Sequence, residues 1–228
     1  MEATNLKREV TIRSKKFQVS LQPEDYWGWI EEGRYNNELS AYDAHLQAKH
    51  TFVDLGAWVG AHSLYASAVA HKVVSVEPDP VANDILAVNL PKDVTHIRKA
   101  ISHQAGVVTM GSGLLGASTT RTNPLAGSGI GPWVEGQTFE VECITLRELI
   151  KDLSDPLFIK IDVEGSEEAI LKDLEVFAER RPVVLLELHP FWWKDVNQTW
   201  QDFEALKRIY KHSYEVHHKN SNTWVLHD

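Results

Sequence analysis

Short apolar segments alternate with helix-length segments through the middle of the chain, and this alternation constrains the fold more than any other feature. The apolar segments 51–55, 72–76 and 94–98 are predicted as strands, and the segments 61–70 and 81–89 between them as helices. Strands separated by helices of about ten residues are typical of βαβ units. The sequence therefore predicts an α/β, Rossmann-like fold with a mostly parallel sheet and helices on both faces.

The remaining segments predict further strands of this sheet and a different arrangement of its last two strands. Further strands are predicted at 138–143, 158–162 and 183–188, and further helices at 146–153, 166–177 and 200–211. The last two apolar segments, 214–218 and 223–227, alternate around a polar turn, which is typical of a β-hairpin. The parallel series is therefore predicted to end in an antiparallel C-terminal hairpin.

The segments outside the strand–helix series predict how the chain is organised. Residues 1–50 are predicted as a hairpin and helices that cover a cleft in the main domain, 51–228, with which they form one compact domain. Residues 106–136 hold eight of the 13 glycines and are predicted as a loop. A loop of this length is either functional, here a lid over the acceptor, or a tolerated insertion. As a lid it would contact substrate through Ser118, Thr119 and Arg121.

The charge balance and the apolar runs exclude several classes of protein. Lys and Arg total 23 against 32 Asp and Glu, a net charge of −9. Because phosphate backbones require a basic surface, we expect no nucleic-acid partner. No apolar run approaches the ~20 residues of a membrane helix, and the N-terminus lacks a signal-peptide pattern, so we expect a cytoplasmic protein without a membrane partner. The single cysteine, Cys143, excludes an internal disulfide.

A glycine turn and an acidic residue follow the first two strands. Gly56 and Gly60 permit a tight turn and close approach of the backbone to a ligand, although the spacing differs from the G-x-G-x-x-G of dinucleotide binders. Glu77 lies 23 positions after Asp54, where an acid can accept hydrogen bonds from both ribose hydroxyls. The alternatives are a plain connection and a helix-capping or solvated acid. Together the two features predict a nucleoside-containing cofactor at the carboxyl ends of the strands.

Polar side chains also end two later strands. Alternation puts Lys160 and Asp162 on one side of their strand and suggests the same side for Glu164. Glu187 and His189 share a side of the next strand. A lysine inside a buried strand is unfavourable unless it is paired. One interpretation is a buried Lys–Glu pair with a purely structural role. We favour the other, a catalytic cluster.

These segments resemble the FkbM family of S-adenosylmethionine-dependent methyltransferases. The resemblance covers roughly residues 50–190 and is carried by FVDLGAWVG (52–60), SVEPDP (75–80), FIKIDVEGSEEAILK (158–172) and VLLELHP (184–190). It implies the class I methyltransferase fold, a seven-stranded, mostly parallel sheet with an antiparallel last strand. It also implies S-adenosylmethionine as cofactor and S-adenosylhomocysteine as product.

The resemblance implies the cofactor contacts residue by residue. The glycine turn would hold the methionine part, Glu77 the ribose, the residues after the third strand the adenine, and Asp162 would lie near the transferred methyl. The expected contacts are Asp54, Gly56, Ala57, Trp58, Gly60, Glu77, Pro78, Ala100, Ile101 and Asp162. The family commonly has Asn where this chain has Trp58, a departure that affects one polar contact and not the turn itself.

Many members of the family methylate oxygen, so we expect a hydroxyl acceptor on a small molecule, sugar or natural product. His189 and Asp162 are the candidate general bases, and Lys160 would hold Asp162 or Glu187 ionised or stabilise a developing alkoxide. Asp162, Glu187 and His189 could instead bind a divalent metal, which we do not expect because Lys160 would compete for the carboxylates.

Two tryptophans follow the strand predicted at 183–188, and two further classes of function remain as alternatives. Trp192 and Trp193 would stack on a sugar or ring of the substrate, or else anchor the last helix. One alternative is a protein that binds the cofactor without transferring a methyl group, and the departure from the family at Trp58 keeps this alternative open. A nicotinamide-dependent oxidoreductase would share the ribose-binding acid but lacks G-x-G-x-x-G.

Overall fold

The structure is a computed structural model, and it describes residues 7–21, 26–112, 123–124, 137–216 and 222–228. The chain begins with an antiparallel hairpin of β1 (Lys7–Ile12) and β2 (Lys15–Ser20), as the sequence predicts. Arg13 takes a left-handed backbone conformation at the turn, with φ 55°. Two helices follow, α1 (Tyr26–Glu31) and α2 (Asn36–His45).

Three parallel strands and two helices make up the next part of the chain. They are β3 (Thr51–Leu55), α3 (Ala61–Ser67), β4 (Lys72–Val76), α4 (Pro80–Asn89) and β5 (Thr95–Ile97). The start of α4 is fixed locally, because the Asp79 side chain accepts hydrogen bonds from the backbone N–H groups of Val81 and Ala82. Pro80 occupies the first turn, where its missing N–H is not needed.

A second, smaller sheet follows, and part of it falls where the sequence predicts a loop. Its strands are β6 (Ala100–Ile101), β7 (Gly106–Ser112), β8 (Asn123–Pro124) and β9 (Gln137–Ile144). The loop prediction for 106–136 is therefore wrong over 106–112, which pairs antiparallel with β9. The glycine content of this segment suggested a loop, but its Val-Val-Thr run favours a strand, and Met110 is buried against Val141 in a small core.

The chain then returns to the main sheet. The elements are α5 (Leu146–Ile150), β10 (Leu157–Ile161), α6 (Glu167–Leu171), α7 (Leu174–Arg180), β11 (Val183–Leu188), a 3-10 turn (Pro190–Trp192), α8 (Val196–Ile209), β12 (His212–Val216) and β13 (Asn222–His227). The single helix predicted at 166–177 is two helices, because Asp173 leaves the helical region with φ −91° and ψ 53°.

The main sheet has seven strands in the order β12-β13-β11-β10-β3-β4-β5. Strands β11, β10, β3, β4 and β5 pair in parallel, and β13 runs antiparallel to both β11 and β12. The predicted fold class and the C-terminal hairpin are therefore confirmed. The reversal from β5 and β4 to β10 and β11 places β3 at the middle of the five parallel strands. The carboxyl ends of β3, β4, β10 and β11 form one edge.

Helices cover both faces of this sheet. On one face Phe52 and Phe158, which are partners across β3 and β10, pack under α2, α3 and the N-terminal hairpin. On the other face Leu55, Ile159 and their neighbours pack under α5, α6, α7 and α8. Within the part of the chain that the structure describes, none of the helices combines the length and the apolar character that crossing a membrane requires.

Candidate active site

The glycine turn after β3 is tightly held by its neighbours. The N–H groups of Gly56 and Ala57 both donate to the Val76 carbonyl at 3.0 Å, and the Gly56 carbonyl accepts from Lys160 Nζ at 2.7 Å. Gly56 has φ 75°, and a Cβ there would lie 1.8 Å from the Asp162 carbonyl oxygen. Only glycine satisfies both constraints, so the turn is more than a plain connection.

Trp58 stands in this turn with a left-handed backbone, φ 46°. Its N–H donates to Glu77 Oε2 at 2.8 Å, and its ring meets the Tyr26 ring edge-on, with centroids 4.3 Å apart. Asn tolerates this backbone region better than most residues, which gives a physical reason for Asn at this place in the family. Because the contact to Glu77 comes from the backbone, the tryptophan keeps the turn closed.

Glu77 is buried at the end of β4 with 6% of its surface exposed. Its Oε1 accepts from the Asp79 N–H at 2.8 Å, and its Oε2 accepts from Trp58. Burial raises the pKa of Glu77 to about 7, against these two hydrogen bonds. Since Asp79 caps α4, Glu77 is not the helix cap, and the alternative interpretation of this acid loses its support.

Lys160 joins the glycine turn to β10. Its Nζ lies 3.2 Å from Asp54 Oδ1 and 3.4 Å from Asp162 Oδ2, and Asp54 is its direct partner across β3 and β10. Burial opposes the charge on Lys160, but the two carboxylates outweigh it and raise its pKa. Burial likewise opposes ionisation of Asp162, but the charges of Lys160 and His189 lower its pKa. The predicted lysine–carboxylate cluster therefore forms, with Asp54 as a member.

Glu167 orients His189 from α6. Its fully buried carboxylate takes hydrogen bonds from His189 Nδ1 at 3.0 Å, from Trp193 Nε1 at 2.9 Å and from the Gly165 N–H at 3.1 Å. The role of Glu167 could not be found from the sequence, because an acid in the first turn of a helix is ordinary.

The other ring nitrogen of His189 faces three carboxylates. Its Nε2 lies 3.7 Å from Glu164 Oε2, 3.9 Å from Asp162 Oδ1 and 3.9 Å from Glu187 Oε1. Burial lowers the pKa of His189, but Glu167 and then the other carboxylates outweigh it and raise it to about 10. Burial, together with the charge of Asp162, raises the pKa of Glu164 to about 7 and that of Glu187 to about 8.

The sequence suggested Asp162, Glu187 and His189 as a metal-binding alternative that was not expected, and the structure groups a different third residue with two of them. The structure brings together Asp162, Glu164 and His189, with one ligand atom from each within 4.8 Å of the others. Glu164 takes the place of Glu187 in this set. Glu164 lies past the end of β10 with a left-handed backbone, φ 49°, and its carboxylate lies near that of Asp162.

A cavity opens beside Asp162 on the side of the N-terminal helices. The cavity is small, and it is lined by Tyr35, Glu38, His62, Lys160, Ile161, Asp162, Leu185, Glu187 and Thr223. Tyr35, Glu38 and His62 were missed by the sequence prediction because they are far in sequence from β10 and β11. Tyr35 directly precedes α2, Glu38 lies in α2 and His62 lies in α3. His62 Nδ1 lies 2.9 Å from the Tyr42 hydroxyl, and burial with the charge of Lys160 lowers the pKa of His62 to about 4.

A comparison with protein families decides the class of this site. The profile of the methyltransferase FkbM domain matches residues 54–216, most of the chain, and includes the glycine turn, Glu77, β10 and the His189 segment. The chain belongs to the FkbM methyltransferase family. It is therefore an S-adenosylmethionine-dependent methyltransferase, and this assignment disfavours the nicotinamide alternative.

Solved structures similar to this FkbM methyltransferase include other methyltransferases. Precorrin-6y C5,15-methyltransferase from Geobacter metallireducens is 16% identical, with 83% of this chain and 84% of that chain covered and a TM-score of 0.42. An rRNA methylase from Streptococcus thermophilus is 10% identical, with 84% and 91% covered and a TM-score of 0.43. No curated protein gives a match.

The residues present fit S-adenosylmethionine. The geometry of Glu77 tests this fit. Each oxygen of its buried carboxylate accepts one backbone N–H and has a second lone pair for another hydrogen bond. A ribose diol requires two such acceptors. The Glu77 N–H donates to the Ile97 carbonyl, so the strand end is held near β6, where Ala100 and Ile101 are buried. Pro78 is partly exposed beside Glu77.

The expected substrate contacts fare differently. Trp193 is 6% exposed and packs in the core with its indole on Glu167, so anchoring describes it better than stacking on a substrate. Trp192 is partly buried and lies against Gly165, where a Cβ would come within 2.4 Å of it. Ser118, Thr119 and Arg121 lie outside the described residues.

Proposed function

We propose that this FkbM methyltransferase methylates a hydroxyl oxygen of a small polar molecule or carbohydrate, and that Asp162 holds that hydroxyl. The single observation that carries the proposal is the unequal exposure of the two carboxylates on Lys160. The Asp162 side chain is 28% exposed and lines the cavity, whereas the Asp54 side chain is 0% exposed. Of these two, Asp162 is the carboxylate that a ligand can reach.

The lining of the cavity supports a hydroxyl acceptor. Carboxylates accept hydrogen bonds from hydroxyls, and Tyr35 and Thr223 offer hydroxyl groups that can donate or accept. The same acids, Glu38, Asp162 and Glu187, make this edge unfavourable for a phosphate backbone. A neutral polyhydroxyl compound fits this lining better than a nucleic acid does.

The residues of this chain then have distinct tasks in the transfer. Bound S-adenosylmethionine supplies a methyl group activated on a sulfonium and leaves as the thioether. The glycine turn and Glu77 hold the cofactor, and Asp162 orients the acceptor oxygen and takes its proton as the new C–O bond forms. Lys160 holds the charge of Asp162 and, through the Gly56 carbonyl, fixes the distance between cofactor turn and acceptor site.

The N-terminal segment would complete the acceptor site as a cover. The Tyr35 ring meets the His62 ring edge-on at 5.5 Å, and Glu38 of α2 reaches the same cavity. These contacts support the expectation that residues 1–50 cover the cleft and contribute to acceptor choice.

The test uses S-adenosylmethionine with a ¹³C-labelled methyl group and a library of hydroxyl-bearing metabolites, with products identified by NMR. We expect label on oxygen. Asp162→Asn should lower turnover by about 10²–10⁴-fold, the range of a general base, while calorimetry finds cofactor affinity largely kept. Glu142→Gln, an exposed acid of β9, is the matched control. Label on nitrogen, carbon or sulfur, or unchanged turnover in Asp162→Asn, would contradict the proposal.

A further inference from the structure

We infer that His189, Glu164 and Asp162 form a binding site for one divalent transition-metal ion beside the acceptor cavity. The role of that ion in catalysis rests on the proposed function, but its binding does not.

The first step is the direction of the His189 ring. Because Nδ1 donates to the buried carboxylate of Glu167, Nε2 is the nitrogen that faces Asp162 and Glu164. A histidine held by a carboxylate through one nitrogen, with the other nitrogen facing the ion, is the usual arrangement of a histidine that binds a metal.

The second step is the spacing around Nε2. Its neighbours at 3.7 and 3.9 Å lie beyond hydrogen-bond distance, so a proton on Nε2 would not satisfy any of them well. Metal–ligand distances of about 2.0–2.2 Å place two ligand atoms of one ion roughly 3 to 4.3 Å apart. The observed separations therefore suit a shared ion better than a direct contact.

The third step is charge. With His189 as a neutral ligand, Lys160 is the basic side chain of this cluster, and five carboxylates converge on it and on His189. They are Asp54, Asp162, Glu164, Glu167 and Glu187. Lys160 pairs with Asp54 and with Oδ2 of Asp162, and Oδ1 of Asp162 faces His189. Partly buried carboxylates in excess are stabilised by a cation.

The ligand set selects the class of ion. One imidazole with two carboxylates suits Mn²⁺, Fe²⁺ or Zn²⁺ better than Mg²⁺ or Ca²⁺, which prefer oxygen ligands alone. The side chains of Asp162 and Glu164 are 28% and 33% exposed, which leaves a coordination position open toward solvent or substrate. A hydroxyl bound there would lose its proton more readily, and Asp162 or Glu187 is placed to take it.

The experiment measures binding of Mn²⁺ to the full chain after removal of metals by a chelator, using the EPR signal of free Mn²⁺. We expect one ion per chain, displaced by Zn²⁺ at lower concentration than by Mg²⁺. Glu164→Gln and His189→Ala should each weaken binding at least tenfold. Glu167→Gln should weaken it about 10–100-fold because it loosens the ring. The matched control, Glu175→Gln, alters an exposed acid of α7 and should bind as wild type.

The outcomes separate the metal site from the proposed function. Absence of Mn²⁺ binding, or binding unchanged in both Glu164→Gln and His189→Ala, overturns the site. Thermal unfolding of each variant verifies the fold, and Glu164→Gln at the exposed rim keeps the test decisive if His189→Ala does not fold. Mn²⁺ binding without any O-methylated product would support the site and count against the function.

Discussion

Lys160 and Asp54 face each other across neighbouring strands, with Nζ 3.2 Å from Oδ1 and both side chains buried. The same ammonium holds the Gly56 carbonyl and Asp162. The Lys160 side chain therefore connects the cofactor turn to the acceptor site, and a substitution of Lys160 should affect both sites.

The Lys160–Asp54 pair should show strong energetic coupling. Removing one partner of a buried ion pair leaves an uncompensated charge, so Lys160→Met should lower the free energy of unfolding by about 3–5 kcal/mol. Introducing Asp54→Asn into the Lys160→Met variant should lower the free energy of unfolding by less than introducing Asp54→Asn into the wild type. Urea unfolding of the two single variants and the double variant gives the coupling energy. Additive losses would show that the pair acts as two independent side chains.

Gly56 should tolerate no side chain. With φ 75° and a Cβ position 1.8 Å from a backbone oxygen, Gly56→Ala has to move either the turn or β10. The left-handed backbone alone costs about 1–2 kcal/mol, and the displaced turn should weaken cofactor binding. Gly28→Ala is the matched control, because Gly28 lies in α1 and its Cβ position has no atom within 4 Å apart from its chain neighbours and the backbone of its own helix. Thermal unfolding and calorimetry compare the two, and equal behaviour would contradict the role given to the turn.

Cofactor affinity should depend on pH through Glu77. Since the pKa of Glu77 is raised to about 7, the carboxyl gains a proton as pH falls through neutrality and loses part of its acceptor capacity for the ribose. S-adenosylmethionine should therefore bind more weakly at about pH 6 than at about pH 8. Glu77→Gln should bind about tenfold or more weakly at high pH and lose most of this dependence. A flat wild-type profile would show that Glu77 does not bind the cofactor as an anion.

His62 should make the fold sensitive to acid. Its pKa is lowered to about 4 in the folded chain, against about 6.5 in the unfolded chain. Between these values the unfolded state binds more protons, so stability is lost as pH falls from about 6.5 to about 4, by up to about 3 kcal/mol. His62→Gln cannot titrate and should lose less stability over this range. Parallel pH curves for wild type and His62→Gln in urea unfolding would refute the prediction.

The sheet and the lysine cluster could be predicted because they follow from local periodicity. Alternation along β10 and β11 places Lys160, Asp162 and Glu187 on one side, and parallel pairing of adjacent strands brings their ends together. Alternation also suggested Glu164 on this side, and its carboxylate does lie near Asp162, although its backbone is left-handed just past the strand.

The rest depends on packing between segments distant in sequence. Glu167 becomes important only because α6 places it under His189, and Tyr35 and His62 only because the N-terminal helices and α3 reach the same cavity. Strand β9 was predicted, but β7 and its pairing with β9 were missed because glycine content outweighed a short run of β-branched residues. Packing between distant segments is not visible in a single local window of sequence, whereas the β-branched run of β7 was visible there and was given too little weight.

The measurement that tests the central claim most directly is a crystal structure of the chain with S-adenosylhomocysteine. We predict that the ribose hydroxyls bind the Glu77 carboxylate, that the amino acid part lies on the Gly56–Gly60 turn, and that the sulfur faces the cavity beside Asp162. A ribose bound away from Glu77, or a sulfur directed away from Asp162, would contradict the account.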